Sequence, residues 1–408
     1  MQFTQPASQE AEWTILTFIQ ANNDLAPLAY YSISHMQAGM QSTNGINVLV
    51  QWVQPQSNTM LRYKITPGDM TLVGSVQREE PFNQINVVVD SMRWAQIEFP
   101  AKKYMLIFWN HGTGILDYGP TKSLNLSDRG RFKSSPVPVD VTKGILLDDT
   151  AHAMMTNQDL LDALTQIKNN LGKKIDIVVM DACFMAMLEV GYQIKDTVDY
   201  YLASQEAPSS NEGLPYSTFL YTLSMCGGKL EPVALAQTMV QWYDLFHRNK
   251  KDFQDYTFSA VDLTKLDKVK QNVDLLVSAV QACAALDTLA THALVAQARS
   301  KSHEFFWVDY MDLYSFYEQL LKSIDEKKKL ESAVAGEYLN ALDVLKSVVI
   351  SGLNVLGKVI IANCYGLQHH GSHGMSVYYP AKGLIEGSYE KTLFAQNSEW
   401  MKFVMEYR

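Results

Sequence analysis

Cysteine is scarce in this chain. Its 408 residues hold four, Cys183, Cys226, Cys283 and Cys364, far apart and with no CxxC pair. That excludes a disulfide-stapled scaffold and a clustered zinc site, and it fits free thiols in a reducing compartment. Concentrated positive charge is missing too. Lys and Arg number 34 against 43 Asp and Glu, and no basic tract stands out. Nucleic acid is therefore not expected as a partner, because phosphate binding needs clustered cations. The longest apolar stretch, residues 347–364, is broken by Asn354 and Lys358, which argues against a membrane span. The opening Met1-Gln2-Phe3-Thr4-Gln5-Pro6 has neither the basic nor the apolar part of a secretory signal. The expectation is a cytoplasmic protein, or one exported without such a signal, with no membrane partner. Internal repeats and low-complexity tracts are absent as well.

What is present is an alternation of strand and helix signals. Residues 13–20 and 46–53 are nearly all apolar, β-branched or aromatic, as in buried parallel strands. Between them Leu25, Leu28, Ala29, Ser32, Ile33 and Met36 trace one helix face, with Asp24 offered as its N-cap and Gly39 as its stop. Pro67-Gly68-Asp69 marks a hairpin, and Thr156-x-x-Asp159 opens a further helix. The pattern predicts an α/β fold with a mostly parallel sheet flanked by helices. We expect a core over residues 1–225 and a more helical region, contributing extra strands, over 226–408. Helices are predicted there at 232–248, 265–299, 311–324 and 389–407. Residues 117–143 are rich in Pro, Ser, Lys and Arg and have no helix or strand period. They read as a surface insertion or a protease-sensitive linker.

Two strand ends carry reactive side chains. The run Tyr104-Met105-Leu106-Ile107-Phe108-Trp109 leads into Asn110-His111-Gly112. The run Ile175-Asp176-Ile177-Val178-Val179-Met180 leads into Asp181-Ala182-Cys183. In parallel α/β sheets chemistry collects beyond the carboxyl ends of strands, so His111 and Cys183 are expected at one rim. Imidazole beside thiol is the arrangement of nucleophilic cysteine catalysis. A helix predicted over 184–194 would put Cys183 at a helix N-terminus, where the dipole favours thiolate. The backbone N–H groups of Gly112 and Cys183 could form an oxyanion hole. Taken singly, each residue has a plainer reading, a buried small hydrophobe for the cysteine and a turn residue for the histidine. Their shared topological position weakens both. Asp181 lies two residues before Cys183 and projects toward the same rim; its plainer role is helix capping. Glu206 and Glu212 are further acids, each with the alternative of a solvated surface position. The run His369-His370-Gly371-Ser372-His373 matches no metal-ligand spacing and reads as a polar hairpin.

Several of these strings together resemble the clostripain family of cysteine peptidases. They are Trp13-Thr14-Ile15-Leu16 running into Asn22-Asn23-Asp24-Leu25, Asn110-His111-Gly112-Thr113-Gly114, Lys143-Gly144-Ile145 with Asp148-Asp149-Thr150, Asp181-Ala182-Cys183-Phe184-Met185, Ser204-Gln205-Glu206 with Glu212-Gly213-Leu214-Pro215-Tyr216, and His373-Gly374-Met375-Ser376-Val377-Tyr378-Tyr379-Pro380. They run in family order from residue 13 to about 380. The resemblance implies a caspase-like fold, related to gingipains and legumains, and an endopeptidase that cleaves after Arg or Lys. It implies Cys183 as nucleophile and His111 as partner base in a dyad with no required third residue. A basic side chain in a dry pocket needs a carboxylate; the family pattern puts Asp181 there, with Glu206 and Glu212 competing for the place of a second acid. It implies self-cleavage at a basic residue between the two motifs, for which Lys143 fits, with Arg129, Arg131 and Lys133 as alternatives. The expected species is a monomer or a self-cleaved two-chain form, and the expected partners are proteins or peptides with basic residues. No cofactor is expected; the resemblance leaves room for calcium dependence, but no EF-hand loop is present. The rival readings are a catalytically silent scaffold that binds basic peptide segments and a ligase acting through the same thioester.

Overall fold

The computed structural model describes residues 10–79, 83–116, 144–151, 153–207, 213–250, 255–307, 309–330, 336–383 and 385–408. The linker over 117–143, including Lys122, Arg129, Arg131, Lys133 and Lys143, and the acid Glu212 lie outside the described residues.

In chain order the first part contains strand β1 (Ala11–Gln20), helix α1 (Ala26–Gly39), β2 (Ile46–Val53), the hairpin β3 (Thr59–Thr66) and β4 (Asp69–Gln77), α2 (Gln84–Glu98) and β5 (Ala101–Trp109). After the linker come a small hairpin, β6 (Ile145–Asp148) and β7 (Ala153–Met155), then α3 (Asn157–Leu171), β8 (Ile175–Asp181), α4 (Leu188–Ile194) and β9 (Val198–Ala203). The remainder is α5 (Tyr216–Met225), α6 (Pro232–Arg248), β10 (Thr257–Asp262), α7 (Leu266–Leu286), α8 (Thr288–Lys301), β11 (Tyr310–Asp312), α9 (Leu313–Leu330), α10 (Glu337–Val359), β12 (Ile360–Tyr365) and β13 (Ser376–Tyr378). Three short helices close it: α11 (Gly387–Glu390), α12 (Leu393–Asn397) and α13 (Trp400–Tyr407).

Among the described residues nine strands form one sheet in the order β12-β10-β9-β8-β5-β1-β2-β3-β4. The five central strands, β9, β8, β5, β1 and β2, are parallel, and antiparallel pairs finish both edges. Helices cover both faces, so the central strands are apolar on both sides. Leu106 and Phe108 pack with α2 and α3 on one face, while Met105 and Ile107 pack with α1, α5 and α6 on the other. Burying a side chain such as Phe108 stabilises the fold by roughly 2–3 kcal/mol.

The sheet does not stop at residue 225. Strand β10 pairs onto β9, and β12 pairs onto β10, extending the sheet. Helix α10 is long and apolar enough to cross a membrane by length and composition. Here it packs along α7 and α9, and Gly352 lies so close to Tyr317 and Asn272 that any added side chain would overlap them.

Three predicted helices differ from the structure. The stretch 265–299 is two helices, because Asp287 accepts a hydrogen bond from the Ala290 N–H (2.9 Å) and caps a new start. The stretch 389–407 falls into short pieces, one begun by the Thr392 cap. The helix predicted from Phe184 begins only at Leu188, with consequences for Cys183 described below.

Candidate active site

Register places the site. Along the carboxyl rim Ile19 of β1 pairs with Trp109 of β5, and Trp109 pairs with Asp181 of β8. His111 is two residues beyond Trp109, and Cys183 is two beyond Asp181. The two loops touch: a Cβ placed on Gly112 would fall 2.5 Å from the Cys183 carbonyl oxygen and 3.1 Å from the Ala182 Cβ. Only glycine permits that approach. No hydrogen bond joins the Cys183 thiol to the His111 ring among the described residues.

The histidine side is held by a polar lattice. The Asn110 side chain accepts from the N–H groups of His111 (2.6 Å) and Leu147 (2.7 Å), and its amide donates to the carbonyls of Gln20 and Leu147. Asn23 also donates to the Leu147 carbonyl, at 2.9 Å. Next to it, buried Asp148 receives Arg78 (2.9 Å), Gln20 (3.1 Å) and Asn22 (2.7 Å). Residues 147 and 148, just after the linker, thus tie the turn after β1 to the histidine loop. From that turn Asp24 reaches the imidazole, with Oδ1 2.7 Å from His111 Nε2. Asp24 does not cap α1, whose N-cap residue is Leu25 and carries no side-chain cap. Sequence reasoning missed this contact because an acid just before Pro27 has the local signature of a cap.

The cysteine side is built differently. Phe184 has φ +60°, a left-handed conformation rare for a bulky residue. Its ring packs against Phe306, Trp307 and Tyr310. The Ala186 N–H donates to Ser204 O (2.8 Å), and Ala186 O accepts from the Ser376 N–H (2.9 Å). These long-range bonds hold residues 184–187 out of a helix. Cys183 therefore does not sit at a helix N-terminus, and the expected depression of its pKa fails. Burial first, then the charges of Glu206 and Asp181, push the thiol up to about 12.

Asp181 ends β8 half-buried. It accepts from the Tyr216 hydroxyl (2.8 Å) and the Leu214 N–H (3.4 Å), and Gly213 lies against its carboxylate. With no helix following, it caps nothing. No cation contacts it among the described residues, and burial raises its pKa to about 6, against the two hydrogen bonds that lower it. Tyr216, the first residue of α5, ends a segment singled out from sequence, but its own contact was not foreseen.

Glu206 is buried (4% exposed), not a solvated surface acid. It accepts from the Ala207 N–H (2.8 Å) and the Phe306 N–H (2.7 Å). Burial pushes its pKa to about 7. His369 Nε2 lies 2.5 Å from Asp255 Oδ1 and 3.9 Å from Glu206 Oε2. Thus His369 lies in a buried polar cluster, at the end of a short 3-10 turn over Leu367–His369 where a polar hairpin was expected. Glu206, Asp255 and His369 have the donor types and proximity to hold a cation. Gln205 bolts the same loop to Ser372, Gly374 and Asp312 of the C-terminal part.

A thiol and an imidazole beyond the ends of adjacent parallel strands fit the class of cysteine peptidases. The model of the clostripain family matches residues 17–404. The chain belongs to that family. No curated protein matches it. Among solved structures it is similar to a secreted C11 cysteine protease from Bacteroides thetaiotaomicron termed iotapain, with a TM-score of 0.66 and 14% identity over 96% of this chain and 100% of that one. A secreted C11 protease from the same organism, in complex with an irreversible peptide inhibitor, gives 0.60 and 16% over 96% and 99%. An inactive zymogen C11 protease from Parabacteroides distasonis gives 0.59 and 16% over the same shares. At these identities the likeness speaks for the fold.

Proposed function

We propose that this peptidase cleaves after Arg or Lys, with Cys183 as nucleophile, His111 as base and Asp181 as the acid that receives the basic side chain. The observation that carries this reading is the Asp181 carboxylate, two residues from the thiol, half-buried and held by a hydroxyl and an N–H with no cation among the described residues. Such a group favours a positive ligand, because burying it unpaired is costly. Glu206 adds a second negative charge near the thiol.

The chemistry follows. Both carboxylates oppose thiolate formation, so the resting thiol is protonated. A bound Arg or Lys side chain offsets that charge and eases proton transfer to His111. The thiolate attacks the scissile carbonyl carbon. The N–H groups of Gly112 and Cys183 receive the oxyanion, and the imidazolium returns its proton to the leaving amine. Water then hydrolyses the thioester. This scheme needs no cofactor. Self-cleavage after Lys143 would leave Gly144 as a new N-terminus, with residues 145–148 still fastened to the core and the two fragments joined through the sheet.

Purified protein and its Cys183→Ala variant are offered fluorogenic peptides ending in Arg, Lys, Asp or Leu, with and without EDTA, and weighed intact. The expected result is cleavage of the basic peptides alone, unaffected by EDTA and lost in the variant, with two fragments only in the active chain. Equal turnover of neutral peptides would overturn the specificity. A single full-length mass from an active enzyme would overturn self-processing.

A further inference from the structure

Three consecutive strands of the sheet, β8, β5 and β1, deliver Cys183, His111 and Asp24 to one rim, in that lateral order. The imidazole is in the middle, and its Nε2 is 2.7 Å from Asp24 Oδ1. We propose that Asp24 is a positioning residue for His111: it accepts the Nε2–H, which leaves Nδ1 as the nitrogen free to take the thiol proton. This rests on the proposed roles of Cys183 and His111 and adds a third member to that dyad.

The acid does two things in this arrangement. It selects the tautomer, since an imidazole that donates from Nε2 carries its lone pair on Nδ1. It also compensates the positive charge that appears on the ring when the thiol proton arrives. That charge matters more here than beside a pre-formed thiolate, because the resting thiol of this chain is protonated. The pair is partly solvated, with side-chain exposures of 23% for His111 and 37% for Asp24, so its contribution is geometric as much as electrostatic. Both partners are mounted on the same support. Leu147 bonds Asn110, next to His111, and Asn23, next to Asp24. Their separation is therefore set by the fold and not by chance rotamers of two surface side chains.

The test is Asp24→Ala and Asp24→Asn on the full chain, in wild-type and His111→Ala backgrounds. Two readouts are used: turnover of a basic fluorogenic peptide, and alkylation of Cys183 by iodoacetamide, which needs no turnover. The expected result is a fall in kcat of roughly a hundredfold to ten-thousandfold with KM within about threefold, as for loss of a tautomer-fixing acid. Asp24→Glu recovers part of it. Alkylation slows in both Asp24 variants, and the slowing disappears once His111 is gone, because the two residues act as a unit. Asp24 effects that multiply with those of His111→Ala would overturn the proposal, as would a KM rise with kcat intact. Thermal midpoints of Asp24→Asn and wild type show whether folding is the cause; an unfolded Asp24→Asn would assign the acid to structure instead. If no variant cleaves basic peptides but alkylation still follows the cycle, the specificity reading fails while Asp24 keeps its role.

Discussion

The two halves of the active-site rim are built on opposite principles. On the histidine side nearly every polar atom is answered. Asn110, Asn22, Asn23, Gln20, Arg78 and Asp148 form a closed lattice around Leu147. On the cysteine side a backbone in the left-handed region follows Cys183, and two carboxylates, half-buried Asp181 and buried Glu206, sit without a full cationic answer and with raised pKa values. One half pairs its polar groups within the fold. The other keeps a left-handed phenylalanine and two acids whose burial costs free energy. On the proposed roles, His111 has to be aimed, which satisfied hydrogen bonds do, and a seat for a basic side chain has to lack a cation of its own.

That contrast can be broken most forcefully on the histidine side. The Arg78–Asp148 pair has side-chain exposures of 3% and 0%. Removing one partner leaves a buried charge alone, at a cost of about 3–5 kcal/mol. Asp148→Ala should lower the urea midpoint accordingly and loosen both loops hung on residue 147. Replacing Arg78 and Asp148 together by Met and Leu should recover much of the stability. A midpoint for Asp148→Ala within about 0.5 kcal/mol of wild type, the usual size of neutral surface changes, would mean that the lattice does not support the two loops.

On the cysteine side the sign reverses. Asp181 has a folded pKa of about 6 against an ordinary 3.8. The fold therefore favours its protonated form. The stability this gives is present below about pH 4 and lost as pH rises through 6. Asp181→Asn should accordingly be more stable than wild type at pH 8, by roughly 2–3 kcal/mol, and no more stable at pH 4. Turnover of basic peptides should fall at least about a hundredfold, since a buried cation would lose its partner. Denaturation at the two pH values checks the first claim and peptide kinetics the second. A variant less stable at pH 8 than at pH 4, relative to wild type, would show that Asp181 is a structural acid.

The division between the halves also explains what could be read from the chain. The strands that carry the site were legible because each is a short apolar run bounded by polar turn residues; β2 is the segment 46–53, as expected from composition. Helix α6 was legible for the same reason, an amphipathic run with Pro232 at its start. The segment after Cys183 was not. Phe184-Met185-Ala186 is acceptable helix sequence, and what prevents a helix is hydrogen bonding to Ser204 and to Ser376, the latter 190 residues away. Asp24 was hidden in the same way, since its partner is 87 residues further on. Local propensity sees neither. The burial of Glu206 was not legible, because its contacts with Phe306 and His369 are ones that no local pattern connects to it.

The smallest effect expected is the one that separates shape from charge in the pocket. Gly213 has φ +60°, and a Cβ there would lie 2.9 Å from Asp181 Oδ1 and 3.0 Å from Oδ2. Gly213→Ala keeps both carboxylates and every residue of the rim. It adds one methyl group against the acid and a left-handed alanine worth about 1–2 kcal/mol of strain. The carboxylate has to shift by a few tenths of an ångström, which weakens its bonds to Tyr216 and Leu214. If the cysteine side acts as an electrostatic seat for a basic side chain, KM for Arg and Lys peptides should rise several-fold while kcat changes less than twofold, because binding and not chemistry is disturbed. Alkylation of Cys183 by a small neutral reagent should not change. A fall in kcat with KM constant would instead mean that Asp181 governs the thiol itself, and the pocket would no longer be separable from the nucleophile it sits beside.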